Sequence, residues 1–152
     1  MKIVIDGDAC PSISLIEIEA KNNDIPLLIY CDIHHFIQSS YAEVKVVDGG
    51  FNNVDMYVVN ATSNGDIVVS QDFGVAAIAL GKGAKVINPK GYIYTNDNID
   101  RLLEERHIAQ VIRRGGGRLK GPKKRNKEDE DRLVKNLKRL ISECKSNNNP
   151  EL

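Results

Sequence analysis

The chain has 152 residues and a mass of 16.9 kDa, close to the commonest size of a single domain with one hydrophobic core. Apolar residues make up 41% and charged residues 28%, with no Trp, which is ordinary for a soluble globular chain and offers no apolar run of the ~20 residues that a membrane helix needs. The formal net charge of zero hides an asymmetry: residues 1–100 carry 13 acidic and 6 basic side chains, residues 101–152 carry 8 acidic and 15 basic. A basic C-terminal part suggests an anionic partner, nucleic acid being the commonest; mutual attraction of the two parts or simple solvation would also account for it. Cys10, Cys31 and Cys144 are odd in number and lack CxxC spacing, so neither a disulfide framework nor a zinc ribbon is expected. Met1-Lys2 leads into a strand and not into a signal peptide, and reduced thiols in a cytoplasm fit best.

Lys2-Ile3-Val4-Ile5 reads as a buried strand closed by the turn Asp6-Gly7-Asp8. Pro11-Ser12 opens a helix with Ile13, Ile16 and Ala20 at helical spacing, ended by Asn22-Asn23-Asp24. Ile25 to Cys31 and Val44 to Val47 read as the second and third strands. Asp32 to Ser40 lies between them as a loop or one-turn helix holding His34 and His35. After Gly49-Gly50 a helix carries Val54, Val58 and Ala61, then Asn64-Gly65-Asp66 turns into the strand Ile67 to Ser70. Val75, Ala76, Ala79 and Leu80 mark a helix stopped by Gly81 and Gly83. Ala84 to Ile87 is a fifth strand, with a small extended piece at Tyr92 to Thr95 after the Pro89–Gly91 turn. Alternating strands and helices predict an α/β fold: a Rossmann-like, mostly parallel sheet of about five strands with helices on both faces, plus C-terminal helices.

From Asn98 the chain reads as helical. Leu102/Leu103 and Val111/Ile112 lie nine residues apart and would face opposite sides of one continuous helix, so a break near Arg106-His107 is expected. Residues 113–127 then carry eight basic residues, no acidic one and four glycines. An amphipathic helix from about Asn126 places Leu133, Leu137, Leu140, Ile141 and Cys144 on one stripe. The domain is taken as 1–145, divided into an acidic core (1–97) and a helical basic extension (98–145), with residues 146–152 as a disordered tail.

Asp6 and Asp8 follow the first strand, Asp72 follows the fourth, and Asp55 opens the helix after the third. In a parallel sheet these positions share one edge, where open α/β sheets bind ligands. Carboxylates drawn together repel one another unless a cation neutralises them. Mg²⁺ or Mn²⁺ suits such oxygen ligands, and a metal pair can drive phosphodiester cleavage without a His or Cys nucleophile. Asp8 and Asp72 would equally serve as helix caps. Asp66 reads mainly as a turn residue that could also feel the site.

The motifs resemble a known family. Asp6-Gly7-Asp8-Ala9-Cys10-Pro11 is similar to the D-x-D-A-C-P opening of the YaiI/YqxD family, and Gly50-Phe51 with Asp55 to its G-F-x-x-x-D segment. Gly65 to Asp72 resembles its G-D-x-V-I-T-x-D stretch, with Ser70 in place of Thr. Asn88-Pro89-Lys90-Gly91 matches its N-P-[RK]-G turn, and Gly121-Pro122, Asp129 and Leu133 its C-terminal pattern. Phe73-Gly74-Val75-Ala76 stands where the family has Pro-Leu-Ala, so the proline at the start of that helix is lost. By fold-level analogy with PIN-like nucleases the resemblance implies an acidic site whose metal-binding residues are Asp6, Asp8, Asp55 and Asp72.

The basic, glycine-rich segment suits phosphate contact, through Arg114, Arg118, Lys120 and Lys123. A flexible linker is its plainer reading. Asp129 reads as a helix-capping residue first and site-related second. The histidines His34, His35 and His107 are poor metal candidates, and Cys10, beside acids that raise its pKa, a poor nucleophile. The leading expectation is a metal-dependent nuclease acting on RNA or single-stranded nucleic acid. Asp6, Asp8, Asp55 and Asp72 would hold Mg²⁺ or Mn²⁺, and Ser70 would orient a carboxylate or water. A haloacid-dehalogenase-like phosphatase using the D-x-D as nucleophile motif is a second class, and a non-catalytic nucleic-acid-binding adaptor a third.

Overall fold

The apolar runs of the strands alternate between two faces of one sheet, and each face is covered by different helices. In a computed structural model, which describes residues 1–33, 37–47, 53–115 and 125–147, six strands run in the spatial order β3-β2-β1-β4-β5-β6. They are β1 (Ile3–Asp6), β2 (Leu27–Asp32), β3 (Glu43–Val47), β4 (Ile67–Val69), β5 (Lys85–Ile87) and β6 (Ile93–Tyr94). All neighbours are parallel except β5 and β6. The helices are α1 (Ile13–Asn22), α2 (Asn53–Ala61), α3 (Phe73–Gly81), α4 (Asn96–Arg114) and α5 (Lys127–Asn147).

Ile3, Ile5, Leu27, Ile29, Ile67, Val69 and Ile87 face one side, against Ile16 and Ala20 of α1 and the stripe Leu133, Leu137, Leu140, Ile141, Cys144 of α5. Val4, Tyr30, Val68 and Val86 face the other, against Val54 and Val58 of α2, Val75, Ala76 and Ala79 of α3 and Ile99 of α4. A parallel sheet buried on both sides needs apolar residues at odd and even positions alike, hence the unbroken runs. The last helix is therefore no appendage: it supplies half the cover of one sheet face. Leu133 and Leu137 are fully buried, each worth roughly 1.5–3 kcal/mol of removed apolar surface.

Three expectations change. The helix α4 is continuous from Asn96 to Arg114, with no break at Arg106-His107. The expected break assumed that both apolar pairs must be buried. Instead Leu102 and Leu103 pack on the sheet's α2/α3 side, while Val111 and Ile112 stay exposed. Ser146 and Asn147 are the end of α5 and not part of a tail, and residues 148–152 lie outside the described residues. The small extended piece after Gly91 is a sixth strand, hydrogen-bonded antiparallel to β5. Among the described residues no helix is long and apolar enough to cross a membrane.

The turn between β5 and β6 is gripped by α5 and its approach. Arg125 Nη1 donates to Pro89 O at 2.5 Å, Arg132 Nη1 to Lys90 O at 3.0 Å, and Asn136 Nδ2 to Gly91 O at 2.6 Å. Gly91 has φ +92°, and an added Cβ would collide with the backbone of Arg132 and Leu133. Only glycine permits both the left-handed turn and that approach.

Candidate acidic site at the sheet switch point

The strand order reverses between β1 and β4: from β1 the chain builds outward through β2 and β3, then returns to lay β4 on the other side. In open α/β sheets this crevice, at the carboxyl ends of the strands, is the usual ligand site. Asp6 ends β1 and Ser70 directly follows β4. The sequence-predicted acids at this crevice come together electrostatically.

Asp6 is buried, and burial pushes its carboxyl up to about 7; the charges of Asp55 and then Asp8 add to the rise, against the Asp8 amide that donates to it. Asp55, in the first turn of α2, is also raised, chiefly by burial and then by the charge of Asp72. The two carboxyls are close enough to interact directly, a contact that raises Asp6 and lowers Asp55. This is the response expected of carboxylates crowded without a counter-charge.

Asp8 sits in a 3₁₀ turn (Gly7–Ala9), and its Oδ1 accepts the Asp32 amide at the end of β2 at 3.0 Å. It does not cap α1. The turn can lie this close because position 7 is glycine: a Cβ there would stand 2.8 Å from Tyr30 O. Asp72 does cap a helix: its Oδ1 accepts the Val75 amide of α3 at 3.0 Å. Buried Ser70 accepts the Asp72 amide at 3.0 Å through Oγ, so it positions Asp72 through the backbone. The lost proline costs nothing visible: Phe73 starts α3 and packs edge-on against Tyr94, ring centroids 5.8 Å apart.

One residue joins the site without a motif to announce it, and another comes from a motif read only as a turn. Tyr94 is buried, and its hydroxyl accepts from Asn88 Nδ2 at 3.1 Å. Burial raises the Tyr94 phenol, the Asn88 bond lowers it and the charge of Asp72 raises it. Asn88, in the Asn-Pro-Lys-Gly turn, follows parallel strand β5 at the acids' edge, and the antiparallel return of β6 brings Tyr94 to it.

Other sequence-predicted residues lie elsewhere. Asp66 precedes β4, at the opposite edge of the sheet, where Oδ2 pairs with Lys2 Nζ at 2.6 Å and accepts the Ser63 amide at 2.8 Å; it does not feel the site. Asp129 forms a reciprocal cap with Asn126 at 3.0 and 3.2 Å and pairs with Arg132 at 2.9 Å. The Asn126 amide and then Arg132 hold its carboxyl below the usual range. Cys10 is buried and free, and its thiol is pushed up to about 11 mainly by burial, the Asp6 charge being a smaller cause. Arg114 is the exposed last residue of α4, and His107 is exposed in its middle. Arg118, Lys120, Lys123, His34, His35, Gly50, Phe51 and Gly121-Pro122 lie outside the described residues.

Among the described residues no three His, Cys, Asp or Glu side chains form a group that could hold a metal ion as they stand. The donor chemistry nevertheless suits a hard divalent cation: oxygen ligands, surplus negative charge, and crowded carboxyls raised above their ordinary range, for whose protons such a cation would compete.

The family profile described as "Uncharacterized BCR, YaiI/YqxD family" matches residues 4–143. The chain is 60% identical to a "UPF0178 protein" of Clostridium perfringens over 146 residues, covering 96% of this chain and 98% of that one. It is 55% identical to a "UPF0178 protein" of Clostridium tetani over 145 residues, covering 95% and 99% respectively. No solved structure matches the chain.

Proposed function

This chain belongs to the YaiI/YqxD family, and from that starting point we propose that it is a metal-dependent phosphodiesterase cleaving RNA or single-stranded nucleic acid. The observation that carries the reading is the crowding of Asp6 and Asp55 at the switch point, where both carboxyls are raised and the charges of Asp8 and Asp72 are felt. Asp6, Asp8, Asp55 and Asp72 would hold Mg²⁺ or Mn²⁺, which when bound supplies an activated water and charge neutralisation at the leaving oxygen.

The chain's own contribution is positioning. Ser70 fixes Asp72 through its amide, the Asp32 amide fixes Asp8, and the buried Asp6 carboxyl holds a proton that a cation must displace. Arg114, Arg118, Lys120 and Lys123 would neutralise the polyanion near a pocket that otherwise repels it.

A labelled single-stranded RNA and its DNA counterpart, incubated with Mn²⁺, test the reading. Cleavage that falls at least 100-fold in Asp6→Asn and Asp72→Asn is expected. Absence of cleavage of either strand, with salt-sensitive retention of both, would instead establish a non-catalytic binding module. That second reading draws on the local bonds of Asp72 to Val75 and of Asp8 to Asp32, which in a non-catalytic module would cap a helix and brace a turn.

A further inference from the structure

Arg125 stands just ahead of α5 with its guanidinium anchored at one nitrogen. Nη1 donates to Pro89 O, while Nε and Nη2 are buried and have no hydrogen-bond partner among the described residues. In a planar guanidinium those two nitrogens point their N–H groups along one common edge. That edge is the side-on fork that matches two oxygens of a phosphate. Buried cationic donors without acceptors are costly, which favours an anion as the partner of this edge.

The position agrees. Pro89 follows β5, at the same carboxyl edge of the sheet as Asp6 and Ser70. The Cys10 thiol feels both the Arg125 cation and the Asp6 carboxylate, so Cys10 stands near both the fork and the first of the acids. Among the described residues no carboxylate takes up Nε or Nη2.

We propose that the Nε/Nη2 edge of Arg125 is a phosphate-binding fork that seats a phosphate of the nucleic-acid substrate at the carboxyl edge of the sheet, the edge that also carries Asp6. Both nitrogens are shielded from solvent as they stand, so seating a phosphate requires the side chain to swing on its Pro89 anchor. The inference rests on the phosphodiesterase reading for the identity of the substrate; the fork itself is a metal-free property.

The test uses the full chain freed of metal with EDTA and titrated with inorganic phosphate, with chloride at equal ionic strength as control. The ¹⁵N resonance of Arg125 Nε is followed by NMR. A saturable shift with phosphate but not chloride is expected; the backbone amide resonances of residues 88–91, followed in both proteins, should show phosphate affinity at least tenfold weaker in Arg125→Lys, which keeps the charge and loses the fork. Equal affinity in Arg125→Lys, or an equal shift with chloride, overturns the fork. Should Arg125→Lys fail to fold, the wild-type Nε titration decides alone.

Two dinucleotides then identify the source. Tighter binding of the 5′-phosphorylated form assigns the fork to a terminal phosphate, and equal binding of both to an internal phosphodiester. Binding of neither overturns the substrate role. A Mn²⁺ thermal shift lost in Asp6→Asn but kept in Arg125→Lys reports on the metal reading separately, so either can fail without the other.

Discussion

The carboxyls of Asp6, at the end of β1, and Asp55, in the first turn of α2, are crowded together, and both are pushed above the ordinary carboxylate range. Two acids far apart in sequence thus meet at the point where the sheet changes direction. A proton held by Asp6 couples folding, metal affinity and pH.

The first consequence concerns stability in the absence of metal. The folded value of Asp6, about 7, lies above the ordinary value of 3.8, so near pH 5–6 the folded state binds a proton that the unfolded chain has lost. This contribution is complete below about pH 4 and disappears as pH rises through 7. Asp6→Asn, which cannot ionise, should stabilise the protein at pH 8.5 relative to wild type by roughly 2–4 kcal/mol more than at pH 4. Urea unfolding at both pH values checks this, and a difference independent of pH contradicts it.

Metal binding should release that proton. Calorimetric titration of the EDTA-treated protein with Mn²⁺ at pH 6, in two buffers of different ionisation enthalpy, should show on the order of one proton released per ion. In Asp6→Asn the release should vanish. Identical heats in both buffers for the wild type would mean that the cation does not displace the proton.

Ser70 offers a test of positioning. Ser70→Ala removes the acceptor of the Asp72 amide and should cost about 1–3 kcal/mol by leaving a donor unpaired. Ser70→Thr keeps the hydroxyl and should recover most of the loss, as read from denaturant midpoints.

Gly91→Ala should destabilise by at least ~2 kcal/mol, because φ is +92° and the new methyl meets α5 backbone. Gly81→Ala, with open space at its Cβ and a place at the end of α3, should be neutral or stabilising by up to ~1 kcal/mol. Equal effects of the two would refute the close approach of the β5–β6 turn to α5.

Leu137→Ala should cost about 2–5 kcal/mol, since Leu137 is fully buried against the sheet. A loss of only a few tenths of a kcal/mol in thermal or urea unfolding would show α5 to be a detachable appendage.

The fold was legible because apolar runs such as Ile3-Val4-Ile5 and Ile67-Val68-Val69 are short, bounded by turns and separated by helical repeats. The acids were legible for the same reason: residues just past a strand declare their edge once the sheet is parallel. The roles of Tyr94 and Arg125 were not, because one depends on β6 turning back along β5 and the other on where α5 docks, and a local pattern gives neither partner. The α4 misreading has a related cause. Periodicity tells which residues share a face, but whether that face is covered depends on neighbours that the helix's own sequence does not encode.

The grip of Arg125, Arg132 and Asn136 on three consecutive carbonyls also bears on how the molecule is made. A chain emerging from the ribosome delivers every strand before the helix that closes one side of the sheet. Until that last segment clears the exit tunnel, Ile3, Ile29 and Ile67 have no C-terminal cover, and the nascent protein is at its most prone to aggregate. Covering of that sheet face and fastening of the β5–β6 turn are therefore the same late event.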